Sequence, residues 1–168
     1  MSKTYLDELT EYPSIAIKNI GEDKTVVGLL LDDPTVEVGS EKADSVFDRF
    51  LFDYDYVDLS CQESAAFVSV EAEMPEINSP TLKDMNLYVT IRCHKNFMRL
   101  DRRKYKGMFG NRKDNLARYI DKILNGSDLF GIGNLELRSA RTIASPPGFS
   151  TRELTYYVPT FRTSVDSD

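Results

Sequence analysis

Tryptophan is absent from these 168 residues, histidine occurs once and cysteine twice. Each shortage excludes a class of function. The single histidine, His94, follows Cys93, and neighbours in an extended strand point to opposite faces, so the two cannot chelate one metal together. His94 is expected to be a surface or interface histidine. Two cysteines far apart in sequence build no disulfide framework, and Cys61 and Cys93 are expected to be reduced thiols of the core. No run of about eighteen apolar residues is present, so no membrane-spanning helix is expected. The first twelve residues, "MSKTYLDELTEY", are polar and acidic and lack the apolar centre of a secretory signal. Folding in a cytoplasm is the corresponding expectation.

Catalytic motifs are missing as well. No glycine-rich loop ends in Lys-Ser or Lys-Thr, and no serine sits in a nucleophile elbow. The acidic runs "LLLDDP" and "DYDYVD" lack the spacing of a calcium loop. "FGIGN" resembles half of a dinucleotide fingerprint, but it follows a helical pattern and lacks the third glycine. It reads as a helix-to-strand turn whose glycines supply positive φ. Scattered carboxylates are the one remaining route to acid–base chemistry. The chain is expected not to be an enzyme and to hold no cofactor or metal.

What is present is a core and a divided charge. Apolar residues make up 41% of the chain, with nine Tyr and nine Phe, enough for one domain without covalent staples. The net charge of −6 hides an asymmetry. Residues 1–91 carry 6 basic and 19 acidic side chains, residues 92–118 carry 10 basic and 2 acidic, and residues 119–168 carry 5 and 6. Surfaces of opposite sign are therefore expected to meet, within the fold or between copies.

The hydrophobic patterns predict an α+β domain in three stretches. Residues 1–64 read as an acidic N-terminal region, helical and then irregular. In "PSIAIKNI" Pro13 takes a first-turn position, with Ile15, Ile17 and Ile20 apolar. "VVGLLL" is an apolar run stopped by Asp32, Asp33 and Pro34, and residues 34–45 read as loop. "VFDRFLFDYDYVDL" fits neither period, as an aromatic covering loop or an arm lying on a neighbour would. Residues 65–163 form the core. "AAFVSVEAEM" and "NLYVTIRCH" alternate as two paired strands, with a proline-containing loop between them. In the second, Leu87, Val89, Ile91 and Cys93 face one way and Tyr88, Thr90, Arg92 and His94 the other.

The principal helix lies in "NRKDNLARYIDKILNG". Leu116, Ile120, Ile123 and Leu124 form its stripe, with Tyr119 at the edge. Asn111 is the N-cap, Asp114 takes the capping-box position, and Gly126 is placed for a left-handed C-cap. Two more strands follow, around Leu135–Arg138 and in "RELTYYVPTF", joined by "SPPGFS", with Pro159 marking an edge or a strand end. The sheet is thus expected to be antiparallel and packed on one principal helix, and residues 164–168 form a tail.

Between the best strand and this helix lies "RLDRRKYKGMFGNRK", residues 99–113, with seven basic side chains: Arg99, Arg102, Arg103, Lys104, Lys106, Arg112 and Lys113. Three readings fit. It is a solvated extension, a contact with acidic residues of another copy or partner, or a nucleic-acid contact in which cations hold phosphate and Tyr105 and Phe109 stack. The acidity of the whole chain speaks against the last.

The helix start "NRKDNLARYIDKIL", the "FGIGNLEL" turn and strand, and the closing "LTYYVPTF" strand together resemble neck and tail-joining proteins of tailed bacteriophages. The tail-terminator group is the nearest likeness, over roughly residues 86–161. The resemblance implies a small non-catalytic α+β protein forming a ring, commonly a hexamer. Such rings cap the tail tube and join it to the head connector within the virion, after assembly in the host cytoplasm. Implied partners are further copies of the chain, adjacent connector and tail-tube proteins, and DNA passing through the lumen without specific binding. The seven basic residues would then lie at a subunit or partner contact. A head-completion or stopper protein, or a nucleic-acid-binding module using the basic loop, are the alternatives.

Overall fold

In a computed structural model, residues 5–57, 60–76, 82–130 and 133–161 are described. The first helix, α1, spans Tyr5–Gly21. Tyr12, Ala16 and Ile20 form its buried stripe at intervals of four. Pro13, expected in the first turn, lies in the interior instead. An interior proline removes one helical hydrogen bond and costs ~3 kcal/mol. Burial of the stripe that flanks it on both sides offsets that cost. Helix α2, Lys24–Leu31, is capped by the Asp23 carboxylate, which accepts from the N–H groups of Thr25 and Val26 at 2.9 Å each. It ends at Asp32, which takes the left-handed conformation (φ 53°). The stretch expected as loop contains a short helix, α3, Glu41–Asp44, with Ser40 as its N-cap. A second short helix, α4, Val46–Arg49, leads into a two-residue strand, β1, Leu51–Phe52.

Four longer strands follow: β2 Ala66–Glu73, β3 Leu82–His94, β4 Glu136–Ile143 and β5 Phe149–Phe161, with helix α5, Arg112–Leu124, between β3 and β4. The sheet order is β1-β2-β3-β5-β4. The expected pairing of β2 with β3 is present and antiparallel, with Val68 opposite Ile91 and Val70 opposite Val89. The sheet is mixed rather than purely antiparallel, because β1 runs parallel to β2. Strand β3 begins four residues before the expected "NLYVTIRCH". Pro159 lies inside β5 and pairs with Asp84, past the point where β4 pairing begins at Tyr157, so β5 has a local edge there. The loop residues 77–81, Gly131 of the "FGIGN" turn and the tail fall outside the described residues; Gly133 has φ 105°.

The helices cover one face of the sheet. Val68, Val70, Leu87, Val89, Ile91, Cys93, Leu154, Tyr156 and Val158 are all buried on that face. Helix α5 docks through Leu116, Ile120 and Leu124, and the Tyr156 hydroxyl donates to Asp121 Oδ1 at 3.0 Å. Helix α1 also packs on the sheet, against β2, so the covering layer has two long helices. Alternation fails in β2, whose first five residues are all buried. The second face is covered at this end by residues 50–56, which fold back over it. Phe52 and Tyr56 stack at 4.1 Å, and Phe67 beneath them lies 6.2 Å from Tyr56 and 6.1 Å from Phe149. The buried apolar side chains of residues 12–57 and 65–158 form one cluster.

Helix α5 starts as expected. Asn111 Oδ1 accepts from the Asp114 N–H at 2.9 Å. At its end Asn125, extended, is the C-cap, and Gly126 follows it with the expected positive φ (80°), although its N–H donates to the Leu135 carbonyl at 2.7 Å rather than back to the helix.

Candidate interaction surface

The basic segment is a tightly anchored loop, and its anchors are some of its own cations. Leaving β3, the chain makes a 3-10 turn, Lys95–Phe97, capped by His94 Nδ1, which accepts from the Asn96 N–H at 3.2 Å. The His94 ring packs edge-on against Phe149. Asp101 then caps a turn by accepting from the Arg103 N–H at 2.8 Å. Leu100 and Tyr105 point into the core.

Arg112 fixes the far side. Its side chain is 2% exposed, an arrangement open to a cation only when every donor has a partner. Nε donates to the Phe97 carbonyl at 2.8 Å, Nη1 to the Leu29 carbonyl at 2.5 Å, and Nη2 to Asp32 Oδ1 at 2.7 Å. Its guanidinium also stacks 3.8 Å from the centre of the Phe97 ring. Asp32 accepts two further bonds from Lys104 Nζ, at Oδ2 (2.9 Å) and at its carbonyl (2.8 Å), and its Oδ1 shares with the Gly28 carbonyl the one hydrogen of the Tyr105 hydroxyl, at 3.2 and 2.9 Å. Burial raises the Asp32 pKa, but the hydrogen bonds and charges of Lys104 and Arg112 outweigh it and hold the carboxyl below its ordinary value. Burial pushes the Tyr105 hydroxyl up to about 12. Part of the expected meeting of opposite charges is thus internal: the acidic end of α2 holds the basic loop.

The seven basic residues consequently divide. Arg112 and Lys113, expected at a contact with a partner, are buried in their own chain, and Lys113 Nζ donates to Ser150 Oγ at 2.7 Å. Both occupy the first turn of α5, where the helix dipole disfavours a cation. That position is the signal in the sequence that each has a specific internal partner. Lys104 is exposed but committed to Asp32. Arg99, Arg102, Arg103 and Lys106 are exposed, and their side chains have no charge partner among the described residues. Of the two aromatics, Tyr105 is an anchor, whereas Phe109 stands 83% exposed.

The free cations do not point in random directions. Arg99, Arg102 and Arg103 join Lys95 along an open groove of about 790 Å³, with Asp101 as the single carboxylate in its lining. A second hollow of about 460 Å³ continues from it, shared at Leu100, Arg102 and Gly110 and ending at Met108 and Phe109. A cationic trough with an exposed ring at one end can hold an extended anionic or acidic-aromatic ligand.

A second exposed feature has opposite chemistry. The segment crossing the outer face of the sheet presents Tyr54 and Tyr56, 53% and 50% exposed. The exposed Asp53 precedes them in the chain and lines a hollow with Ser14, Ile17, Lys18, Phe47 and Leu51. The shelf is held from below: Asp55 pairs with Arg92, Nη1 to Oδ1 at 2.8 Å, and Tyr56 stacks on Phe52.

In comparison with known protein families, residues 23–158 match the family model YomW. No curated protein matches the chain.

Proposed function

The chain belongs to the YomW family, a phage-associated family, and on that premise we propose that it is a structural subunit of the virion neck. In this reading it is a ring protein of tail-terminator type that caps the tail tube and joins it to the head connector. Its role is mechanical: it supplies surfaces of defined shape and charge, and no bond is made or broken. One observation carries the reading. The loop with the free cations is locked to the core by Arg112, Lys104 and Tyr105, so it meets a partner already in its bound shape. Pre-organisation of this kind lowers the entropy cost of association. A ring of identical subunits needs unlike faces that close on each other, and complementary charge sets their register.

Purified particles test the proposal. The chain is expected in the virion at ring stoichiometry and, by electron microscopy, at the junction of tail and head. Particles lacking the protein are expected to carry tails of unregulated length or detached heads. A chain absent from particles, or present only inside the head with the genome, would sink the reading.

A further inference from the structure

We propose that the cationic groove of one subunit receives the Asp53–Tyr54–Tyr56 shelf of a second copy of this chain. The inference rests on the reading of the chain as a self-assembling virion subunit and names the contact. Each feature is incomplete alone. Arg102 and Arg103 stack on no ring of their own chain among the described residues, and they have no carboxylate partner there. Tyr54 and Tyr56 offer half-exposed ring faces with no cation over them among the described residues, and the Asp53 carboxylate, next to Tyr54 in the chain, lines a hollow with Lys18 but forms no ion pair with a described residue.

The chemistries match group for group. A guanidinium lies flat on a tyrosine face and donates to a carboxylate at its edge, which makes Arg the preferred cation for such a site. Phe109, almost wholly exposed at the end of the trough, gains an aromatic neighbour when the shelf docks. Tyr and Arg are also the residue types that dominate binding energy at protein contacts. Both surfaces are rigid before they meet, one through Asp32 and Arg112, the other through Arg92 and Phe52. The occupant is a second copy because the chain itself carries both halves, with its charges separated between them.

The experiment uses two variants of the full chain, each damaging one half. Arg102→Glu with Arg103→Glu alters only the groove, and Asp53→Lys with Tyr54→Ala alters only the shelf. Circular dichroism and thermal melts establish that both fold. Sedimentation velocity over a concentration series is then run on wild type, each variant, and their mixture. Wild type is expected to self-associate, and each variant to lose at least about tenfold in association constant. The mixture is expected to recover a one-to-one complex, because one intact groove still meets one intact shelf. Four outcomes overturn the inference: a monomeric wild type, a variant that associates as wild type does, a mixture that stays monomeric, or a groove whose measured ligand is DNA, bound in a salt-dependent way without self-association. Rings seen in virions built from either variant alone would likewise overturn this contact and leave the neck reading standing. Absence of the chain from virions would overturn the neck reading itself.

Discussion

Arg112 Nη2 donates to Asp32 Oδ1 at 2.7 Å, joining the first turn of α5 to the end of α2 across 80 positions of sequence. The pair closes the basic loop against the helical layer. It also holds Asp32 in a left-handed conformation, which non-glycine residues take uncommonly and Asp more readily than most. The turn places this carboxylate under two cations at once, Arg112 and Lys104, and within 3.2 Å of the Tyr105 hydroxyl, which it shares with the Gly28 carbonyl.

Truncation of Arg112 should therefore be among the most damaging substitutions outside the apolar core. Arg112→Ala leaves the Leu29 and Phe97 carbonyls without this donor and Asp32 with one cation fewer. Asp32 is 39% exposed and keeps Lys104, so solvent screens its loss, and most of the cost comes from the buried carbonyls left without a donor, about 1–3 kcal/mol. Arg112→Lys cannot reproduce three divergent donors and should recover less than half of the loss. Chemical denaturation of the two variants measures both effects. A loss below about 1 kcal/mol for the alanine variant, the level of an ordinary surface pair, would show the network to be dispensable.

The same network sets a pH dependence. The Asp32 carboxyl is held below its ordinary value, so the folded state binds its proton less readily than the unfolded chain does. A depressed carboxyl contributes stability that is present above its unfolded value and is lost as pH falls through the folded one. Stability should thus decline below about pH 4, the ordinary range of an Asp side chain. Asp32→Asn should be less stable than wild type at neutral pH and show a shallower decline in acid. Denaturation midpoints measured from neutral to acid pH decide it: parallel curves for the two proteins would contradict the assignment.

The two thiols should differ in reactivity. Cys93 is fully buried, and burial pushes its thiol up to about 12, so almost no thiolate is present at neutral pH. Cys61 is only partly covered. A thiol reagent added to the native protein should modify Cys61 and spare Cys93, with the second equivalent taken up only on unfolding. Rapid modification of both in the native state would mean that the β3 region opens readily.

Much of this arrangement could be read from the sequence. The alternation of Leu87, Val89, Ile91 and Cys93 identified the central strand, and the Asn111 cap fixed the start of α5. The strong local signals survived because tertiary packing used the same faces. The covering segment 50–56 was not legible as strand, since β1 has two residues and owes its existence to β2 beside it. Pro13 misled in the same way: local propensity favoured a helix start, and packing of Tyr12 and Ala16 overrode it. For the site, seven cations in one segment marked the right place. Their division into anchors and free groups depended on Asp32 and Leu29, far away in sequence, and so on the fold. Only the first-turn positions of Arg112 and Lys113 hinted at it.

Close packing at the end of α1 yields the last expectation. A Cβ added at Gly21 would overlap the Phe47 ring and come within 2.9 Å of Leu51 Cδ1. Gly21→Ala would ordinarily favour a helix end by removing backbone freedom. Here the added methyl must displace Phe47 or push α1 away from α4 and β1, and overpacking of this kind costs about 1–3 kcal/mol. The clash lies beneath the segment that leads to Tyr54 and Tyr56, so the variant should also weaken self-association more than it lowers stability. Gly21→Ala combined with Phe47→Leu, which shortens the opposing ring, should regain both stability and association. A double variant no more stable than the single would place the strain elsewhere than at the Phe47 ring.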